Sequence, residues 1–86
     1  MNISVELTFS PLQNNYEVHI INFIKKLRAS GLTLMENPLS TQVYGEYGEV
    51  MQVLTIEIRE AFELMDKGLL FMKVVKSDRS DYEPHF

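Results

Sequence analysis

The spacing of apolar residues changes along the chain in a fixed order, and that order leaves few folds open. From Ile3 to Phe9 apolar and polar residues alternate: Ile3, Val5, Leu7 and Phe9 point one way, and Ser4, Glu6, Thr8 and Ser10 the other. Such alternation marks a half-buried strand, and Pro11, which has no N–H to give a ladder, is placed to end it. The spacing then becomes helical, with Tyr16, Ile20, Phe23, Ile24 and Leu27 on one face and Glu17, Asn22, Lys25, Lys26 and Arg28 opposite. Asn14 stands three residues before Glu17, which predicts a capping box, and Gly31 predicts a left-handed stop. Two short strand segments follow, Leu32 to Met35 and Ser40 to Tyr44, separated by a break at Glu36-Asn37-Pro38. Gly45 and Gly48 mark the turn into a second helix. Its predicted apolar face carries Tyr47, Met51, Leu54, Ile58, Ala61, Phe62 and Met65. Glu57, Glu60, Glu63 and Lys67 lie outside, Glu63 and Lys67 are spaced for an ion pair, and Gly68 is the expected stop. Leu69 to Val75 reads as a buried strand, and Lys76 to Phe86 as a loose polar tail.

The order strand, helix, strand, strand, helix, strand predicts an α+β chain with the ferredoxin-like βαββαβ arrangement. Both helices have one apolar face, so they are expected on one side of a four-stranded antiparallel sheet. The other sheet face is left open, with Phe71, Lys73 and Val75 of the last strand on it beside Glu6, if Leu70, Met72 and Val74 face the helices. Residues 1–79 form the expected single domain and 80–86 its tail.

Length matters here because 86 residues make one domain that hides only about 60–65% of the surface of its unfolded chain. Without a cysteine there are no disulfides to compensate, and the chain suits a reducing compartment. Self-association is the remaining common means of burying more apolar surface, so a homodimer or homotetramer is expected. The first residues lack the basic and apolar segments of a signal peptide, and no apolar run reaches the ~20 residues of a bilayer span. A cytoplasmic protein without membrane contact is therefore expected. The net charge of −4 opposes binding to nucleic acid.

Catalytic signatures are absent: there is no phosphate-binding glycine loop, no histidine pair at ligand spacing and no nucleophile elbow. His19 reads as a rim residue and His85 as part of the tail, and no metal site is expected. The densest polar and aromatic stretch is Ser40-Thr41-Gln42-Val43-Tyr44-Gly45-Glu46-Tyr47-Gly48-Glu49. Two readings compete there. In one, Glu46 and Glu49 only offset the positive end of the second helix. In the other, hydroxyls, a carboxylate and phenols converge on a small polar heterocycle.

With Ile3-Ser-Val-Glu-Leu-Thr-Phe-Ser-Pro11, the segment Ser40-Thr-Gln-Val-Tyr-Gly-Glu46 and the closing Val75-Lys-Ser-Asp78-Arg79, the chain resembles the YkoF-like thiamine-binding family over residues 3 to 79. The resemblance implies a ferredoxin-like fold, an oligomer, and binding of thiamine or its hydroxymethylpyrimidine moiety without chemical change. By position it implies roles for Thr41, Gly45 and Glu46; the physical reading of the residues adds Glu6 and Tyr44. The expected function is thus non-catalytic binding with no cofactor, at the end of the second hairpin strand and the start of the second helix. The alternatives are an assembly module whose open sheet face serves only self-association, and a small ferredoxin-like enzyme. The missing arginine-bearing phosphate loop and the scarcity of histidine argue against the last.

Overall fold

The strand β1, Asn2–Pro11, sits inside the sheet, and the rest of the chain is arranged around it. The computed structural model describes all residues from Met1 to Phe86. After β1 come α1 (Tyr16–Ala29), β2 (Thr33–Glu36), β3 (Thr41–Glu46), α2 (Tyr47–Glu63) and β4 (Gly68–Val75). The four strands form one antiparallel sheet in the order β2-β3-β1-β4. This is the ferredoxin-like α+β arrangement that the order of periodicities predicts.

Register explains which residues are inside. Val5 stands opposite Val43 on one side and Val74 on the other, and Leu7 lies between Thr41 and Met72. Directly opposed residues of an antiparallel pair share a face, so these side chains all point toward the helices. The core is Ile3, Val5, Leu7 and Val43 from the sheet, Phe23 and Leu27 from α1, and Val50 and Leu54 from α2. The opposite face carries Tyr44, Gln42, Glu6, Thr8, Phe71 and Lys73. Glu6 is paired in register with Lys73, whose ammonium lies 3.5 Å from the carboxylate, as expected of neighbours on the open face.

Several local expectations are corrected. Asn15, not Asn14, occupies the cap position of α1, and no side chain caps it; Asn15 Oδ1 instead accepts from Gln13. Gly31 does end the α1 region in the left-handed conformation, with φ 84°. Helix α2 stops at Glu63, five residues before Gly68, because the chain has to turn early enough for Gly68 to pair with Pro11. The turn is held by Leu12 N donating to Lys67 O at 2.9 Å and by Asp66 N donating to Gln13 Oε1 at 3.0 Å. Lys67 and Met65 are therefore off the helix, and Glu63 pairs with Arg59 rather than Lys67. The inner face of α2 is centred on Val50 and Leu54, while Tyr47 and Phe62 remain exposed.

The last strand departs most from expectation. β4 is an edge strand and most of its residues are exposed, because the two helices cover β1 and β3 and leave the β4 side open. The segment after it is less loose than its polarity suggests. Ser4 Oγ donates to Ser77 O at 2.7 Å and accepts from Arg79 N at 2.9 Å. This clamp folds residues 77–79 back over the start of β1 and buries Ser4 on the otherwise open face.

Candidate functional site

Of the five residues singled out from the sequence, four lie along β3, on both of its faces and at both of its ends, and Glu6 lies on β1. Thr41 opens the strand and points to the helix side, where it is buried. Tyr44 lies on the open face, in register with Ser4 and Thr33. Gly45 faces the helices, where a Cβ would stand 3.1 Å from Val50 Cγ2. Its absence lets α2 pack directly on the end of β3. Glu46 is the N-cap of α2: Glu49 N donates to Glu46 Oε2 at 3.0 Å. The backbone N–H groups of Gly48 and Glu49 hold its carboxyl below the usual carboxylate range. From Thr41 to Glu46 the strand advances about 17 Å, so Thr41 and Glu46 do not meet. The ligand site expected around the end of β3 is thus divided.

Glu6, on the open face in register with Gln42, does not meet Thr41 but reaches the β2–β3 turn through Ser40. Ser40 Oγ donates to Glu6 Oε2 at 3.2 Å and accepts from Gln42 Nε2 at 2.7 Å. Asn37 Oδ1 accepts from Leu39 N and Ser40 N at 2.8 and 3.0 Å, which fixes the β2–β3 turn. Asx turns of this kind are what an Asn before Pro-x-Ser favours, so this signal was present in the sequence.

Beneath that turn lies a cavity of about 140 Å³. Its walls are Leu7, Thr8 and Phe9 of β1, Ile20, Phe23 and Ile24 of α1, the turn residues Asn37 to Ser40, and Thr41. The rings of Phe9 and Phe23 are stacked with centroids 4.9 Å apart. No titratable side chain lines it. Its surroundings are apolar and aromatic, with hydroxyl and amide groups at one end, the composition that holds a small planar molecule and orients it through a few polar contacts.

A second concavity, a more open groove of about 470 Å³, runs between α2 and β4, lined by Met51, Leu54, Ile58, Phe62 and Met72 with Arg59 and Glu63 at its rim. It contains no polar group beyond Thr55 and those rim charges. No cluster of His, Asp and Glu suited to a metal ion is present. His19 Nε2 accepts from Gln13 Nε2 at 3.1 Å. No helix is long and apolar enough to cross a membrane.

No family model matches the chain, and no curated protein matches it. Solved structures do. A protein from Streptococcus pneumoniae aligns with a TM-score of 0.85 at 23% identity, covering 94% of this chain and 92% of its own. A Thermotoga maritima protein provisionally assigned to thiamine biosynthesis or salvage aligns with a TM-score of 0.81 at 19% identity, covering 90% of this chain and 85% of its own. A DUF77 domain of unknown function from Bacillus cereus gives 0.76 at 11% identity, covering 91% and 78%. At these identities the likeness is one of fold, shared over nearly the whole chain and consistent with the YkoF-like resemblance.

Proposed function

We propose that the chain binds thiamine or its hydroxymethylpyrimidine moiety non-covalently, with the pyrimidine ring in the cavity beneath the β2–β3 turn. The observation that carries this reading is the ring-sized cavity walled by the stacked Phe9 and Phe23 and ended by Thr41. An apolar cavity of about 150 Å³ is enough to hold benzene, so a single aromatic ring fits and a second ring remains outside. The Thr41 hydroxyl and the Asn37 amide offer hydrogen bonds to ring nitrogens and an exocyclic amine. The fold shared with a protein provisionally linked to thiamine metabolism supports the same class of ligand. Glu6, through Ser40, steadies the turn over the cavity, while Gly45 and Glu46 set the docking of α2.

The test is calorimetric titration of the wild-type chain with hydroxymethylpyrimidine, thiamine and the thiazole fragment alone. The first two bind and the third does not. Thr41→Val keeps the shape and removes one hydroxyl, and a neutral hydrogen bond contributes about 0.5–1.5 kcal/mol. Pyrimidine affinity therefore drops about 2- to 12-fold with the fold retained. Absence of binding by both pyrimidines, or equal affinity in the variant, overturns the reading.

A second reading has its own observation: Met35 and Phe71 are both exposed on the open sheet face, at its two edges. On that reading the face serves self-association and no small molecule binds, so Phe71→Asp dissociates the assembly and all three titrations are flat.

A further inference from the structure

We infer that Asn37 to Ser40 form a lid that lifts to admit a ligand to the cavity. Glu6, which lies outside the cavity, is the latch that sets how often it lifts. The identity of the ligand rests on the function proposed above, whereas the motion follows from the turn alone.

Size calls for a wall that gives way. The cavity of about 140 Å³ is close to the ~150 Å³ that holds benzene, so a bare ring fills it. Hydroxymethylpyrimidine carries a methyl, an amino and a hydroxymethyl group on its ring, and these need more room. Neither β1 nor α1 can supply it, because Leu7 and Phe23 line the cavity and are core residues only 2% and 3% exposed. Shifting either element opens voids in a close-packed interior. The turn makes up the remaining wall and contributes no core residue. Its Leu39 is already 84% exposed, so lifting the turn uncovers little that is now buried.

The turn is built to move as one piece. Asn37 N donates to Ser40 O at 3.1 Å, and Asn37 Oδ1 accepts from Leu39 N and Ser40 N. These bonds close the turn on itself, so it keeps its shape as it swings. Its side-chain bonds with Gln42 stay within the β2–β3 hairpin. The β1–β3 ladder stops at Leu7 opposite Thr41, and β1 runs on to Pro11 without a β3 partner. One hydrogen bond therefore ties residues 37–40 to β1: Ser40 Oγ donates to Glu6 Oε2 at 3.2 Å. That is longer than the usual length of about 2.5–3.0 Å for a hydroxyl donor, as suits a tie that breaks often. Glu6 approaches from the open sheet face, where its Oε1 meets Lys73 at 3.5 Å, and it does not line the cavity. It is thus a positioning residue that reaches the ligand only through Ser40.

The experiment has two arms, both on the intact chain. NMR relaxation dispersion on the ligand-free protein reads opening directly, on the microsecond-to-millisecond scale of lids. Exchange is confined to the turn and Thr41, and Glu6→Ala raises the open population about 2- to 12-fold, the effect of losing one hydrogen bond. In the second arm, the ring-methyl signal of hydroxymethylpyrimidine gives its association and dissociation rates. Both rise together in Glu6→Ala, so affinity changes less than either rate. Lys73→Met removes the other partner of Glu6 and speeds neither. Glu6→Ala combined with Ser40→Ala is no faster than Ser40→Ala alone, since both break the same tie. Exchange at the turn that is absent from both wild type and Glu6→Ala, or equal in them, overturns the lid. So does a rise in dissociation alone, or a Lys73→Met variant as fast as Glu6→Ala. If hydroxymethylpyrimidine binds at the same rates in wild type and Glu6→Ala, the lid falls and the ligand reading stands. If no pyrimidine binds while Glu6→Ala still raises opening, the ligand reading falls and the lid stands.

Discussion

Glu46 shows how one residue satisfies two readings of a sequence and only one local geometry. In sequence it belongs with Thr41, Tyr44 and Gly45 as a polar cluster. In the fold its carboxylate turns onto the first turn of α2 and accepts from Glu49 N. The strand period of two was the available signal: it sends Thr41, Val43 and Gly45 to one face and Gln42, Tyr44 and Glu46 to the other. What the period does not carry is which face has a concavity, since that depends on where α1 lies relative to the β2–β3 turn. The capping role has a pH signature. Backbone N–H groups favour the ionised carboxylate and lower its folded pKa, so its stabilisation is full above the ordinary carboxylate range. It is lost as pH falls through the lower folded value. Glu46→Ala thus melts at a lower temperature than wild type at neutral pH, and the gap closes in acid. Thermal melts of both proteins across that range check the sign; a gap that widens toward acid contradicts it.

At the scale of elements, existence and order were legible and ends were not. β1 and α1 follow from clean periods, and Gly31 ends the α1 region in the left-handed conformation its position predicts. Gly68 resembles a helix stop and so predicts a longer α2, whereas pairing with Pro11 requires Gly68 to begin β4. The apolar residues of β4 predict a buried strand, yet most of them are exposed. Composition reports that a strand needs covering, but not whether its own chain supplies the cover, and here α1 and α2 lie over β1 and β3. The segment after β4 looks loose in sequence because nothing in Ser77-Asp78-Arg79 reveals that the hydroxyl of Ser4, 73 residues earlier, accepts one of its N–H groups and donates to one of its carbonyls. Ser4→Ala removes both bonds. A net cost of about 1–3 kcal/mol is expected, with the loss concentrated at one end of the sheet. Hydrogen exchange at Arg79 N accelerates while the amides that link β1 to β3 keep their protection. Uniform acceleration throughout the sheet would mean that Ser4 acts on the whole fold instead.

For the whole molecule, the size of the core sets what the chain tolerates. Eight apolar residues are buried, four from the sheet and two from each helix. Leu27 joins the halves of that core: it is fully buried on α1 beneath the packing against α2, with Lys26 beside it paired to Glu60 across the two helices. An exposed pair of that kind contributes little, so helix docking depends on the apolar contacts. Domains of this length have about 0.05–0.15 kcal/mol of stability per residue, which for 86 residues is roughly 4–13 kcal/mol. Leu27→Ala removes buried methyl groups and leaves a void, at a cost of about 2–5 kcal/mol. That is a large share of the total, whereas Leu27→Met conserves volume and costs less than about 1.5 kcal/mol. Urea unfolding of the three proteins at equal chain concentration separates these cases. Leu27→Ala unfolds at a markedly lower denaturant midpoint than wild type, and Leu27→Met stays close to wild type. If Leu27→Ala kept the wild-type midpoint, the two helices would be held by something other than this core.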